Sequence, residues 1–271
     1  MSNINAKKIN DVVVEPIVLP KQKKDILGCK LFPQLNNNIF ICAPKNSGKT
    51  TVIKTILDQC ADERTHVIIF CATIYNDPSW KAILNMLDDK GIKHSDYTSI
   101  FADEGTNIVD VLISELSAPK SELISESPNI PFLKFNEEKP KETVTIKKKK
   151  KKYLAPDYII IFDDLSSELK NPSIPKLMKI QRHFSSKIII SSQSYIDCDS
   201  RIRNGNLDVL LLFKKLPDHI LEKIYNEQAI TLPFELFLKL YKHATKKPYS
   251  FLYIDRNGYF RKNFNREYVI E

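Results

Sequence analysis

The chain has no CxxC pair, no apolar stretch that approaches membrane-spanning length and no internal repeat. Its five cysteines (Cys29, Cys42, Cys60, Cys71 and Cys198) are scattered and odd in number, which argues for free thiols in a reducing compartment rather than a disulfide framework. Cys42 and Cys71 lie inside apolar runs, where cysteine behaves as a small hydrophobe. The opening residues, MSNINAKKIN, lack the apolar core of a signal peptide. The apolar runs are short, such as 158–162, far below the ~20 residues that a spanning helix needs. These absences predict a soluble, intracellular protein with no membrane partner.

Evenly spread basic charge is also missing. The formal net charge is +8, but residues 134–152 carry nine lysines against three glutamates and so hold +6 of it, leaving the rest of the chain near neutral. The isoelectric point therefore says little about nucleic-acid binding. At 271 residues with 42% hydrophobic content, the chain can bury a sizeable core, as one large α/β domain or two small ones.

What is present is alternation. Short β-branched runs at 38–42 (NIFIC), His66–Cys71 (HVIIFC), 157–162 (DYIIIF), 187–191 (KIIIS) and 207–213 (LDVLLLF) are almost continuously apolar, as strands buried on both faces are. Between them, 49–59, 79–88, 109–116, 174–184 and 218–226 carry helical spacing. This order predicts a mostly parallel sheet flanked by helices. A hairpin is expected at the end, 249–254 and 259–264, turning at Asn257-Gly258. Residues 1–30 are polar and punctuated by proline, and read as an arm or edge element before a domain at 31–271. Residues 117–156 lose apolar periodicity and hold six consecutive lysines, 147–152, which predicts an exposed, mostly disordered insertion. That lysine run is either an electrostatic tether for DNA or an acidic partner, or a plain solvated loop.

The first strand runs directly into Ala43-Pro44-Lys45-Asn46-Ser47-Gly48-Lys49-Thr50-Thr51 and a helical pattern, the strand–loop–helix context of a Walker A motif. Backbone N–H groups at a helix N-terminus suit the dense charge of a triphosphate. Lys49 would reach the β- and γ-phosphates, and the Thr50 hydroxyl would coordinate Mg²⁺. Ala43 stands where the motif usually has glycine, and an alanine there needs a negative φ or accepts modest strain. A bare Gly-Lys-Thr helix start without ligand is the plain alternative.

The run at 157–162 ends in Asp163-Asp164. At the C-terminal edge of a strand beside the phosphate loop, Asp163 can hold Mg²⁺, and Asp164, pointing the other way along the pleat, can activate the attacking water. Two acids that merely cap a following helix are the alternative. Gln193, after the run at 187–191, is placed to sense the γ-phosphate or orient water, or it is ordinary loop chemistry. Arg201 and Arg203 read either as a solvated turn or as an arginine offered to a neighbouring subunit's nucleotide.

With these elements in order the chain resembles the poxvirus-type genome-packaging ATPases, a viral branch of the FtsK/HerA superfamily of P-loop NTPases. The likeness rests on 65–79 (THVIIFCATIYNDPS), 158–165 (YIIIFDDL), 181–195 (QRHFSSKIIISSQSY) and Arg203-Asn204, and spans about 36–215. It implies a RecA-like α/β core with an extra strand between the Walker A and Walker B strands. It also implies ATP and Mg²⁺ as cofactors, a homo-oligomeric ring expected to be a hexamer, double-stranded DNA and viral capsid proteins as partners, and DNA translocation into preformed capsids. The setting implied is the host cytoplasm or viral factory, or the virion. Other P-loop ATPases (a helicase, a partition factor, an AAA+ remodeller), a P-loop small-molecule kinase and a non-catalytic virion scaffold are the competing readings. Kinases of that kind usually carry Arg-rich lid segments after the phosphate loop.

Overall fold

The computed structural model describes residues 25–118, 153–165 and 167–269. In chain order the elements begin with β1 (Asp25–Ile26), β2 (Asn37–Cys42), α1 (Lys49–Cys60), β3 (His66–Cys71), α2 (Pro78–Asp89), β4 (Lys93–Tyr97) and α3 (Ile108–Ser117). They continue through β5 (Tyr153–Leu154), β6 (Tyr158–Asp163), α4 (Ser173–Ile180), β7 (Ser186–Ser192), α5 (Ser200–Arg203) and β8 (Val209–Phe213). The chain closes with α6 (Asp218–Glu227), α7 (Phe234–Ala244), β9 (Phe251–Asp255), β10 (Phe260–Lys262) and β11 (Arg266–Glu267).

Nine strands form one sheet in the order β11-β10-β9-β8-β2-β7-β6-β3-β4. From β8 to β4 all neighbours are parallel, and β9, β10 and β11 extend the sheet antiparallel. One strand, β7, lies between β2 and β6, so the phosphate-loop strand and the acidic-pair strand are not adjacent. The central strands are buried along almost their whole length because both faces are covered, which is why apolar runs such as 39–42, 159–162 and 188–190 fill their middles. Alternation within β2 assigns the layers. Ile39 and Ile41 pack with α1 and α2 on one face, through Ile53, Ile56, Leu57, Trp80 and Ile83. Phe40 and Cys42 pack with α3 to α7 on the other, through Leu112, Leu177, Leu221 and Phe237. A fully buried aliphatic or aromatic side chain stabilises by about 1.5–3 kcal/mol relative to an exposed one, so this double core fixes the register of every central strand.

The helices start where local chemistry dictates. Asp77 Oδ1 accepts from Ser79 N at 2.8 Å with Pro78 in the first turn, and Asn107 Oδ1 accepts from Val109 N at 2.9 Å. The expected hairpin forms between β9 and β10, and Asp255 Oδ1 ties its turn by accepting from Asn257 N and Tyr259 N.

One expected helix changes, and further elements appear. At the two ends of 117–156, Ser117 completes α3 and β5 pairs in parallel with β1, in a two-stranded sheet apart from the main one; residues 119–152 lie outside the described residues. The lysine run 147–152 lies outside the described residues. The helix expected at 174–184 breaks after Ile180 into a 3₁₀ turn, Gln181–Phe184, closed by Ser185 at φ 49°. β4 and α7 were not anticipated.

Candidate active site

The loop from Ala43 to Gly48 joins β2 to α1 at the C-terminal edge of the sheet. Ala43 is fully buried, is absent from the positive-φ residues and donates its N–H to Ser192 O at 3.0 Å. The alanine is accommodated without strain, so the missing glycine costs nothing here. Asn46 and Gly48 do take positive φ, at 61° and 93°, and Ser47 closes the turn onto Pro44 O. Gly48 is the N-cap of α1, which has neither a side-chain cap nor an acid in its first turn. The first N–H groups of α1 therefore keep their donor capacity for an anion.

Lys49, on the first turn of α1, is 9% exposed and reaches across β7 to the acidic pair. Its Nζ lies 3.1 Å from Asp163 Oδ1 and 2.5 Å from Asp164 Oδ1. Burial works against charge on Lys49, but the two carboxylates outweigh it and hold its pKa above the ordinary lysine value. Asp163 is 2% exposed, and burial pushes its carboxyl up although Lys49 opposes the shift. Lys49 thus stays cationic, clasped by the pair.

The two acids differ in environment. Asp163 ends β6, and its Oδ2 accepts from Trp80 Nε1 at 3.1 Å. Its Oδ1 is buried and makes no hydrogen bond, the ionic contact to Lys49 aside. A buried carboxylate oxygen with spare acceptor capacity, on the sheet edge that carries the Thr50 hydroxyl, fits a hard, oxygen-loving cation. Among the described residues no group of three or more His, Cys, Asp or Glu could hold a metal on its own. Asp164 follows at φ 53°, donates its N–H to Ser191 O at 3.2 Å, and keeps its side chain about a third exposed (34%). That exposure leaves one carboxylate in reach of water while its neighbour is sealed.

β7 stitches the halves together. Ser192 O takes Ala43 N and Ser191 O takes Asp164 N, so Gln193, the next residue, emerges between the phosphate loop and the acidic pair and is exposed. Lys49, Thr50, Asp163, Asp164 and Gln193 are therefore brought to one edge of the sheet.

Arg203 is not. It is 7% exposed; its Nη1 bonds both oxygens of Glu227 at 2.8 and 2.6 Å, its Nε bonds Cys198 O at 3.0 Å, and the guanidinium lies over the Tyr195 ring. Glu227 ends α6, a ten-residue helix about 15 Å long that starts after the C-terminal end of β8, and Gln228 then lies beside Asp208 and Val209 at the start of that strand. Arg203 is thus fixed inside its own chain, near the opposite edge of the sheet from Lys49. Arg203, expected in a solvated turn or extended to a neighbouring subunit's nucleotide, here has its guanidinium engaged by Glu227. Arg201, on the same short helix, is exposed, and its guanidinium bonds Asp199 at 2.9 and 2.8 Å. Two further residues escaped the sequence reading: Trp80, which bonds the inner acid, and Tyr249, whose ring lies against Gly48.

A mostly parallel, helix-flanked sheet with a phosphate loop after one strand and an acidic pair two strands away defines a P-loop NTPase fold. No family model and no curated protein matches the chain. Among solved structures, the genome packaging NTPase B204 from Sulfolobus turreted icosahedral virus 2 in complex with AMP is similar in fold, with a TM-score of 0.52 and 15% identity, over 88% of this chain and 100% of that one. The AMPPCP complex of the same protein gives a TM-score of 0.49 at 16% identity, over 83% of this chain and 94% of that one. The DNA-packaging ATPase B204 from Sulfolobus turreted icosahedral virus gives 0.48 at 16% identity, over 82% and 93%.

Proposed function

We propose that this chain is an ATP-hydrolysing motor that moves double-stranded DNA into preformed viral capsids, as a homo-oligomeric ring expected to hold six subunits. The observation that carries the enzymatic part is Lys49, clasped between Asp163 and Asp164 beside a helix N-terminus without a side-chain cap. The packaging part rests on the family resemblance and on the likeness in fold to the packaging NTPase B204 across that protein's whole length.

The N–H groups at the start of α1 bind the phosphates, and Lys49 exchanges its carboxylate contacts for β- and γ-phosphate oxygens. Thr50 and Asp163 would hold Mg²⁺, which neutralises charge on those phosphates when bound. Asp164 accepts a proton as a water oxygen bonds to the γ-phosphorus and the bond to the bridging oxygen of ADP breaks. Gln193 orients that water or reads the γ-phosphate. Arg201 is the candidate for reaching a neighbouring subunit's nucleotide, since Arg203 is engaged within its own chain. The lysine run 147–152 is a candidate DNA tether.

Turnover of ATP in the presence and absence of duplex DNA tests the reading. Stimulation by DNA with phosphate released to water is expected; transfer of the phosphate to a nucleoside would make the chain a kinase.

A further inference from the structure

The acidic pair lies on one side of β2, across β7. On the other side, toward β8 and β9, the phosphate loop borders a cleft of about 270 Å³ between Asn46 and Ser47, Phe213 and Lys214 at the end of β8, and Lys247 and Tyr249 before β9. Tyr249 is unusual on three counts. It has φ 60°, a backbone conformation rare for a bulky side chain, and the residue is 72% exposed. The ring also packs against Gly48 so closely that a Cβ there would sit 3.0 Å from Tyr249 Cδ1. The turn that presents it is fixed by Ser250, whose N–H and hydroxyl both bond Lys247 O.

A triphosphate has two ends. If its γ end sits at Lys49 and the acidic pair, the rest of the molecule must leave the loop past Asn46 and Ser47, away from β6. An exposed aromatic face, with lysines around the cleft and apolar Phe213 in its wall, waits in that direction. Planar bases stack on such faces with little dependence on sequence or base type. We propose that Tyr249 is the stacking platform for the nucleotide's base and that this cleft holds the base and its sugar. The proposal rests on the nucleotide-hydrolysis reading above and assigns that site its base-binding half.

Binding of two probes, ATP and inorganic tripolyphosphate, to the full chain separates the two halves of the ligand. Tyr249→Ala should weaken ATP about tenfold and leave tripolyphosphate unchanged, while Tyr249→Phe keeps ATP affinity near wild type. Unchanged ATP affinity in Tyr249→Ala would overturn the proposal. So would an equal loss for both probes, because Tyr249 would then be shaping the loop through Gly48 rather than meeting a base. Lys49→Ala should weaken both probes. If it weakens neither, the phosphate-loop reading fails and takes the proposal with it; a failure confined to Tyr249→Ala overturns the proposal alone.

Discussion

Lys49 holds the site's charges together, so its removal should be felt in the fold before any nucleotide is added. In Lys49→Ala, Asp163, 2% exposed in the wild type, keeps its hydrogen bond from Trp80 but loses the cation that faces it. Asp164, a third exposed, is largely answered by water and contributes little. Breaking the buried half of the cluster costs about 3–5 kcal/mol, a large part of a typical domain's stability. For a chain of this size that lowers Tm by on the order of 10 °C. Adding Asp163→Asn should restore at least half of the loss, since an amide accepts from Trp80 Nε1 without needing a counter-ion. The sign with pH follows from the shifts. Lys49 has a raised folded pKa, so its stabilisation is complete below 10.5 and lost only as pH rises through that raised value. On the acid side the deficit shrinks as the Asp163 carboxyl, already pushed up by burial, takes a proton. Trp80, the chain's single tryptophan, is fully buried on Asp163 and reports the melt by fluorescence. A Tm for Lys49→Ala within ~2 °C of wild type, or a double variant no more stable than the single one, would refute the reasoning.

Asp164→Asn should fold normally, because asparagine tolerates the positive φ of 53°, and should bind ATP while its turnover falls about 10²–10⁴-fold in a phosphate-release assay. Arg203→Ala, which takes from Glu227 its two short guanidinium contacts and leaves it the Lys223 ion pair at 3.4 Å, should cost about 2 kcal/mol in thermal denaturation. Arg201→Ala should leave Tm unchanged and lower DNA-stimulated turnover by ~10³-fold or more, with part of the activity returning on mixing with Lys49→Ala subunits. Lys187, fully buried and bonded to Gln34 O and Asn37 Oδ1, has a pKa lowered to about 8 by desolvation. Its folded value lies below the ordinary 10.5, so the penalty for its charge is full below about 8 and is relieved as pH climbs toward 10.5. Stability should rise over that window in the wild type, and chemical denaturation of Lys187→Met should show no such rise. Deleting 147–152 should flatten the slope of log K against log salt for duplex DNA.

The central strands were legible because parallel strands covered on both faces need apolar middles, and β2, β3, β6, β7 and β8 all carry one, with buried polar residues such as Asn38, Asp163 and Lys187 kept toward the strand ends. β4 (KHSDY) was not, because it is the edge strand and spends its residues on polarity that blunts the open edge. α7 carries its signal in Phe237, Leu240, Tyr241 and Ala244, which lie at helical spacing and are buried. Within the site, the chemistry of Lys49 and Asp163-Asp164 is local to two motifs and could be read from them. Whether an arginine faces inward or outward is not: Arg201 and Arg203 look alike in sequence, and only the helix carrying Glu227 separates them. Tyr249 and Trp80 were beyond sequence reasoning for the same cause, since each meets the site through a contact made by tertiary packing between distant parts of the chain.

Displacement of a third strand from a DNA triplex tests the central claim most directly, because it reads movement along duplex DNA rather than hydrolysis alone. Wild-type protein with ATP should release the third strand, and Asp164→Asn, still able to bind ATP, should leave it in place. Brisk ATP hydrolysis by the wild type with the third strand retained would contradict a translocating motor.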